Sequence, residues 1–229
     1  HVVVCGYGRN GRQAVKTLRA YHQDFVIIEN DPDLVQRIRE SSEHTIVLPG
    51  DATDDSIMQQ AGIEKAKALI TTLPSDADNL FVVLTARDVN STLNIISRAS
   101  DDRSEHKLKI AGANNVILPD KVGGSHMGTL VTTPDLMEFL DHISVMGEDD
   151  STLVEIRFQN LPADFEHKSI MELENRYHTG SRIIGFKTPE NEIIVNPSPE
   201  RELVPESKLF VLGNPDQIKK LKSVLHIDE

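Results

Sequence analysis

The sequence predicts an α/β protein: a doubly wound parallel sheet, a crossover helix pair, and a small α+β C-terminal subdomain. Three observations carry that prediction. Through the first 119 residues, short apolar runs rich in β-branched residues alternate with amphipathic stretches, the rhythm of parallel strands joined by helices. The first of these runs ends in a tight cluster of glycines. Beyond residue 150, apolar and polar residues alternate instead, as in Val154, Ile156 and Phe158, which is the pattern of half-buried strands.

Val2, Val3 and Val4 run into Cys5 as the first strand, followed by Gly6-Tyr7-Gly8-Arg9-Asn10-Gly11 and a helical pattern through Leu18. Strand, glycine turn and helix in this order form a Rossmann-like dinucleotide-binding turn. Gly6 permits the turn, Gly8 lets backbone N–H groups approach a pyrophosphate, and Gly11 lets the helix pack closely on the strand. The helix start adds unpaired donors and a positive dipole end, so Tyr7, Arg9 and Asn10 are expected around an anion.

Residues 25–28 form the second strand, ending at Glu29-Asn30. Glu29 lies 18 residues beyond Gly11, about where an acidic side chain meets an adenosine ribose diol. A carboxylate there favours a free 2′-hydroxyl, hence NAD or an adenine nucleotide over NADP. Pro32 starts a helix with Leu34, Val35 and Ile38 on one face. The third strand, 45–48, leads to Gly50-Asp51-Ala52-Thr53 and a short helix with Ile57, Met58 and Ala61 inward, stopped by Gly62. Residues 68–72 are the fourth strand, and 76–90 a long helix carrying Leu80, Val83, Leu84 and Arg87. Residues 93–97 run into Arg98 as the fifth strand, and a basic helix over 103–110 leads to a sixth at 116–118. Ligands of such sheets sit at the strands' carboxyl ends. Arg9, Glu29, Asp51, Thr71 with Thr72, and Arg98 follow successive strands and are predicted to face one crevice.

Residues 1–119 are thus read as the nucleotide-binding domain. In 120–147 a glycine-containing helix is followed by a restart at Thr133-Pro134, with Leu136, Met137, Phe139, Leu140 and Ile143 apolar. So much apolar surface beside a complete sheet predicts helices that pack on another subunit. Residues 148–229 open on Glu148-Asp149-Asp150, read as a solvated linker because it lacks the spacing of a calcium loop. After it come strands over 182–187, 192–195 and 208–212, a helix over 169–177, and a last helix behind Asn214-Pro215.

The net charge of −12 argues against a sequence-independent nucleic-acid or anionic-membrane surface. No apolar run approaches the roughly 18 residues of a membrane span. The lone Cys5 excludes an internal disulfide and fits a reducing compartment. No His-Glu-x-x-His, Gly-Lys-Ser/Thr loop or Gly-x-Ser-x-Gly elbow occurs, and no tyrosine has a lysine four residues on. The site therefore reads as one built to bind rather than to react, and the expectation is a non-enzyme. A core strand beginning at residue 2, behind His1, predicts a segment upstream.

HVVVCGYGRNG, VIIENDP, GDATDDSIMQQAGIEKAKALI, ISRAS, AGANNVILPDKVGG and the C-terminal RIIGFKTPENEIIVNPSPERELVPESKLFVLGNPDQI together resemble the RCK (KTN, TrkA-N plus TrkA-C) family. These are ligand-sensing cytoplasmic domains of potassium channels and of Trk- and Ktr-type transporters. The resemblance implies a ligand of the NAD/NADH or ATP/ADP/AMP class, held by Gly6, Gly8 and Gly11, with Arg9 beside the phosphates and Glu29 on the ribose. It places Asp51 and Ala52 beside the adenine and Arg98 toward the ligand phosphates. It further implies a homodimer assembling into an octameric gating ring, coupled to a potassium-channel pore domain or a transporter membrane subunit at the inner face of the cell membrane. The upstream segment would then be a linker from a pore. Some calcium-gated members carry carboxylates where Thr72, Arg98 and Ser100 stand here, which argues against that calcium site and for an anionic ligand.

Overall fold

A computed structural model describes residues 1–41, 45–144, 151–158, 165 and 168–226. The chain divides into two compact units, His1–Gly128 and Thr129–Glu229.

In the first unit the strands are β1 (Val2–Cys5), β2 (Phe25–Glu29), β3 (Ile46–Pro49), β4 (Ala68–Thr71), β5 (Asn94–Arg98) and β6 (Asn115–Ile117). All pair in parallel in the order β3-β2-β1-β4-β5-β6. The sequential path from β1 to β3 runs outward to one side, and the path from β4 to β6 runs outward to the other. The order reverses between β1 and β4, so the glycine turn after β1 opens at the topological switch point. The helices are α1 (Arg9–Ala20), α2 (Pro32–Ser41), α3 (Asp55–Gln60), α4 (Asp76–Val89) and α5 (Asp102–Ile110), with a 3₁₀ turn at Ile63–Lys65, and α6 (Pro119–Thr132) begins here and ends beyond the unit boundary at Gly128.

Two apolar clusters sandwich the sheet, because a parallel strand buries both faces. Val2, Val4, Ile27 and Val47 pack with Val15, Val35 and Ile38 of α1 and α2. Val3, Cys5, Ile28, Leu69 and Ile95 pack with Met58, Val82, Val83, Ala86 and Leu108 of α3, α4 and α5. The inner face of α4 is Asn79, Val82, Val83 and Ala86, whereas Leu84 is 51% exposed. The apolar sequence of α4 runs nearly all round the helix, so periodicity alone does not say which of its apolar residues face the sheet. Asp54, Ser75 and Asp101 cap α3, α4 and α5 by accepting from Ser56, Asp78 and Ser104 N–H groups.

No residue of α6 is buried. In the second unit, α7 (Pro134–Asp141) exposes Leu136, Phe139 and Leu140. Ile143, read from sequence as part of this helix, begins a two-residue strand, β7 (Ile143–Ser144), which pairs in parallel with β8 (Ser151–Arg157). Glu148-Asp149-Asp150 lies outside the described residues. Strands β9 (Arg182–Lys187), β10 (Ile193–Val195) and β11 (Lys208–Gly213) complete a sheet of order β10-β9-β11-β8-β7, antiparallel apart from the β7–β8 pair. Helices α8 (Ile170–Tyr177) and α9 (Pro215–Val224) start in capping boxes built on Ser169 and Asn214. They bury Leu173, Ile218 and Leu221 against Ile156, Phe186, Leu209 and Val211 of the sheet.

Candidate functional site

The turn between β1 and α1 shows why each glycine stands where it does. Gly6 has φ +88°, a conformation that L side chains rarely adopt. At Gly11 a Cβ would lie 2.0 Å from the Gly6 carbonyl oxygen, so helix and turn touch through backbone. Thr72 locks the same corner, its hydroxyl donating toward the Gly6 carbonyl at 3.1 Å and the Cys5 carbonyl at 3.2 Å. Gly8 is different. It is exposed, and a Cβ built on it meets nothing within 4 Å.

Gly8 is also the N-cap of α1, with no side chain capping the helix and no acidic residue in its first turn. The first N–H groups of α1 and the positive end of its dipole are thus open to an anion. Arg9, exposed at the first helical position, adds a cation there.

Glu29 anchors this cradle from below. It is only 7% exposed at the end of β2, and its Oε2 accepts from the Tyr7 N–H at 2.6 Å. Oε1 accepts from Asn30 and Asp31 N–H groups at 2.9 and 3.0 Å. A carboxylate has about four acceptor sites, so three bonds leave room for a ribose hydroxyl. Glu29 therefore holds the glycine turn in shape and still has capacity to accept. Gly50 N–H donates to the Glu29 carbonyl at 3.0 Å, which brings Asp51 alongside. Asp51 Oδ1 accepts from the Thr53 N–H and hydroxyl, both at 2.8 Å, leaving Oδ2 open among the described residues. Ala52 buries its methyl group in the core, so only its backbone can face a ligand.

On the other side of the switch point the two threonines separate. Thr71 is fully buried, and its hydroxyl donates to Asn79 Oδ1 at 2.6 Å. Asn79 also bridges the Leu73 N–H and carbonyl, so Thr71 braces the turn after β4 while lining the groove beside Thr72. Thr72 and Arg98 line a groove of about 510 Å³ on the sheet face between α1 and the start of α6. Ile70, Ile96 and Ile117 form its floor, Asn10, Gln13, Ala14 and Thr17 one wall, and Pro119, Val122 and Gly123 the other. Arg98 Nη1 donates to the Leu73 and Pro74 carbonyls at 3.2 and 3.1 Å and stands 4.0 Å from Asp76. Asp76, which sequence reading missed, also accepts from the Ser100 N–H and hydroxyl at 3.0 Å. Its signal was faint, an acid in the first turn of α4 next to the Ser75 cap.

An anion cradle at a switch point, a ribose-height carboxylate and a groove beyond them fit an adenine nucleotide. The TrkA-N domain family matches residues 2–119, and the TrkA-C domain family residues 153–226. The chain belongs to the TrkA-N/TrkA-C family of RCK domains. Probable potassium channel protein 2 of Methanocaldococcus jannaschii is 33% identical over 98% of this RCK domain, which spans 66% of that relative's length. A Trk system potassium uptake protein TrkA homolog of Methanothermobacter thermautotrophicus is 24% identical over 96% of both chains. Among solved structures, the GsuK channel bound to NAD is similar over 99% of this RCK domain and 38% of that chain, with 26% identity and a TM-score of 0.52. GsuK bound to ADP is similar over 56% of this chain and 33% of its own, with 30% identity and a TM-score of 0.50.

Among the described residues, no group of three or more His, Cys, Asp or Glu side chains is arranged to hold a metal ion. No helix there is long and apolar enough to cross a membrane. Cys5 is completely buried, and burial pushes its thiol up to about 12, so it packs as a small apolar side chain.

Proposed function

We propose that this RCK domain binds an adenine nucleotide, NAD/NADH or ATP/ADP, at the β1–α1 cradle and thereby controls potassium transport by an attached channel pore on the cytoplasmic side of the membrane. The observation that carries the reading is the pairing of an unobstructed Gly8 with the uncapped start of α1, directly above buried Glu29. The cradle's N–H groups and Arg9 hold phosphate, Glu29 and Asp51 orient the adenosine, and Arg98 draws on anionic charge beyond it. The site is read as one that binds a ligand rather than consuming it. The NAD- and ADP-bound forms of GsuK support the ligand class.

Control requires a ligand that prefers one of two arrangements. The exposed apolar residues of α6 and α7, among them Met127, Val131, Leu136 and Phe139, supply an interface for a homodimer, which then assembles into an octameric ring. A ligand that favours one dimer angle pulls on the pore through the preceding chain. A second reading, a free-standing regulatory subunit of a Trk/Ktr transporter, draws on the TrkA homolog that this chain matches over nearly its full length.

Thermal unfolding with ADP, ATP, NAD⁺ and NADH tests the binding step. A ligand at 100 times its Kd should add about 2.7 kcal/mol of stability. Arg98→Ala should weaken that gain, measured against the variant's own unliganded melting temperature, because Arg98 also holds the Leu73 and Pro74 carbonyls. If none of the four nucleotides stabilises the wild-type chain, the proposal fails. Consumption of NADH with any small substrate would instead indicate an oxidoreductase.

A further inference from the structure

We propose that the outer stripe of α1, with Arg12, Lys16 and Arg19 in a row, rests against the anionic headgroups of a lipid bilayer. The inference takes one element from the reading above: an attached pore holds the domain beside a membrane. The three cations recur four and three residues apart, so they form one exposed stripe about 10 Å long. The stripe is distinct from the ligand side of the helix. Gly11 and Val15 are the buried side of α1, and Asn10, Gln13 and Thr17 line the groove. α1 carries no carboxylate. Arg12 and Lys16 make no ion pair among the described residues. Arg19 is held over the Phe25 ring, 5.8 Å from its centroid, and donates to Thr45 Oγ1 at 2.7 Å.

Placement singles out the membrane. α1 runs back along β1, so its last turn lies at the edge of the sheet where β1 begins. At that edge the Val2 N–H donates to the Asp24 carbonyl at 2.8 Å, and the Lys67 N–H to the His1 carbonyl at 2.9 Å. Arg19 and Tyr21, which is 43% exposed, therefore stand where the preceding chain leads to the pore. Tyrosine, with an apolar body and a polar tip, suits the headgroup layer. Lys65 and Lys67 add exposed cations to this edge, set against Asp24 and Glu64. The net charge of −12 speaks against attraction over the whole surface, and it repels a free polyanion such as a nucleic acid. A bilayer to which a pore already tethers the domain is a different case, because the second contact is intramolecular. At 0.1 M salt, charges farther than about 10 Å from the headgroups are screened, so the facing stripe outweighs carboxylates elsewhere on the chain. Each cation near such a surface contributes about fivefold in binding.

The test holds the chain by an N-terminal hexahistidine tag on vesicles containing a nickel-chelating lipid, in place of the pore. The remaining lipid is phosphatidylcholine, alone or mixed with phosphatidylglycerol. Wild type should be held at least about tenfold more tightly on the anionic vesicles at 0.1 M salt, and the advantage should vanish at about 1 M, where screening acts within about 3 Å. Arg12→Glu with Lys16→Glu should erase it, since two cations are worth about 25-fold. Arg103→Glu with Lys107→Glu changes the net charge equally at exposed positions of α5 and should keep it. Equal retention of wild type on both kinds of vesicle overturns the inference. Equal loss in the α1 and α5 pairs overturns it too, because the effect is then one of net charge. Capture of an untethered DNA duplex through Arg12 and Lys16 would assign the stripe to nucleic acid instead. Thermal melts check that each variant folds, and Arg12→Gln with Lys16→Gln replaces an α1 pair that does not. ADP stabilisation is measured without vesicles, so nucleotide binding stands or falls separately.

Discussion

Replacing Gly11 by alanine would set a methyl carbon 2.0 Å from the Gly6 carbonyl oxygen, 2.9 Å from its carbonyl carbon and 3.0 Å from Thr72 Oγ1. Two of these are backbone atoms of a turn held at φ +88°, and the third is a hydroxyl bonded to that same turn. No flexible side chain can give way, so α1 has to move off β1 by more than an ångström. Overpacking of this kind costs about 3 kcal/mol. For a unit of this size, 3 kcal/mol lowers the melting temperature by about 9–15 °C. Gly8→Ala is the control three residues away. Its φ of −68° suits any residue, and the added methyl meets nothing. Ala is a poorer N-cap than Gly, but it also restricts the unfolded chain, so the net change should stay within about 1 kcal/mol. The same methyl would stand where a pyrophosphate must approach, and nucleotide stabilisation should vanish. Calorimetric melts of both variants, with and without ADP, decide the matter. A Gly11→Ala protein that melts like wild type, or a Gly8→Ala protein still stabilised by ADP, would refute the reasoning.

Glu29→Gln keeps the shape but offers a single acceptor oxygen, so the Tyr7 N–H faces an NH₂ group. It should cost about 2 kcal/mol in urea unfolding and weaken ADP in a separate titration. Thr71→Val removes the hydroxyl that donates to Asn79, and should cost about 1–2 kcal/mol without altering ADP affinity. A large loss of affinity there would show that the Thr71 hydroxyl meets the ligand directly. Native Cys5 should resist alkylation at pH 8 and react at once in denaturant, because its buried thiol stays protonated up to about 12. Ionisation of that thiol is open to the unfolded chain above about pH 9 but closed to the folded one, so stability falls as pH rises between about 9 and 12. Cys5→Ala should flatten that slope in pH-dependent melts.

The sequence by itself determined the parallel sheet, because β-branched runs such as Val2-Val3-Val4 and Phe25-Val26-Ile27-Ile28 can be satisfied only when both faces are covered. It also marked the cradle: glycine spacing and the distance to Glu29 are local quantities, legible along one dimension. What it left open depends on partners brought in from far along the chain. Thr71 and Thr72 are neighbours of equal polarity, yet strand alternation sends one hydroxyl to Asn79 in the core and the other to the glycine turn. Leu84 and Val82 look alike in α4, and only packing on the sheet decides which is inside. Glu29 as a support for Tyr7, Asp76 beside Arg98, and the groove walled by Gln13 and Val122 all join residues from different β/α steps. Periodicity assigns a side chain to a face of its own element. Which other side chains share that face is set by the strand order β3-β2-β1-β4-β5-β6, and so it is the tertiary structure that makes a binding turn and a row of strand ends into one site.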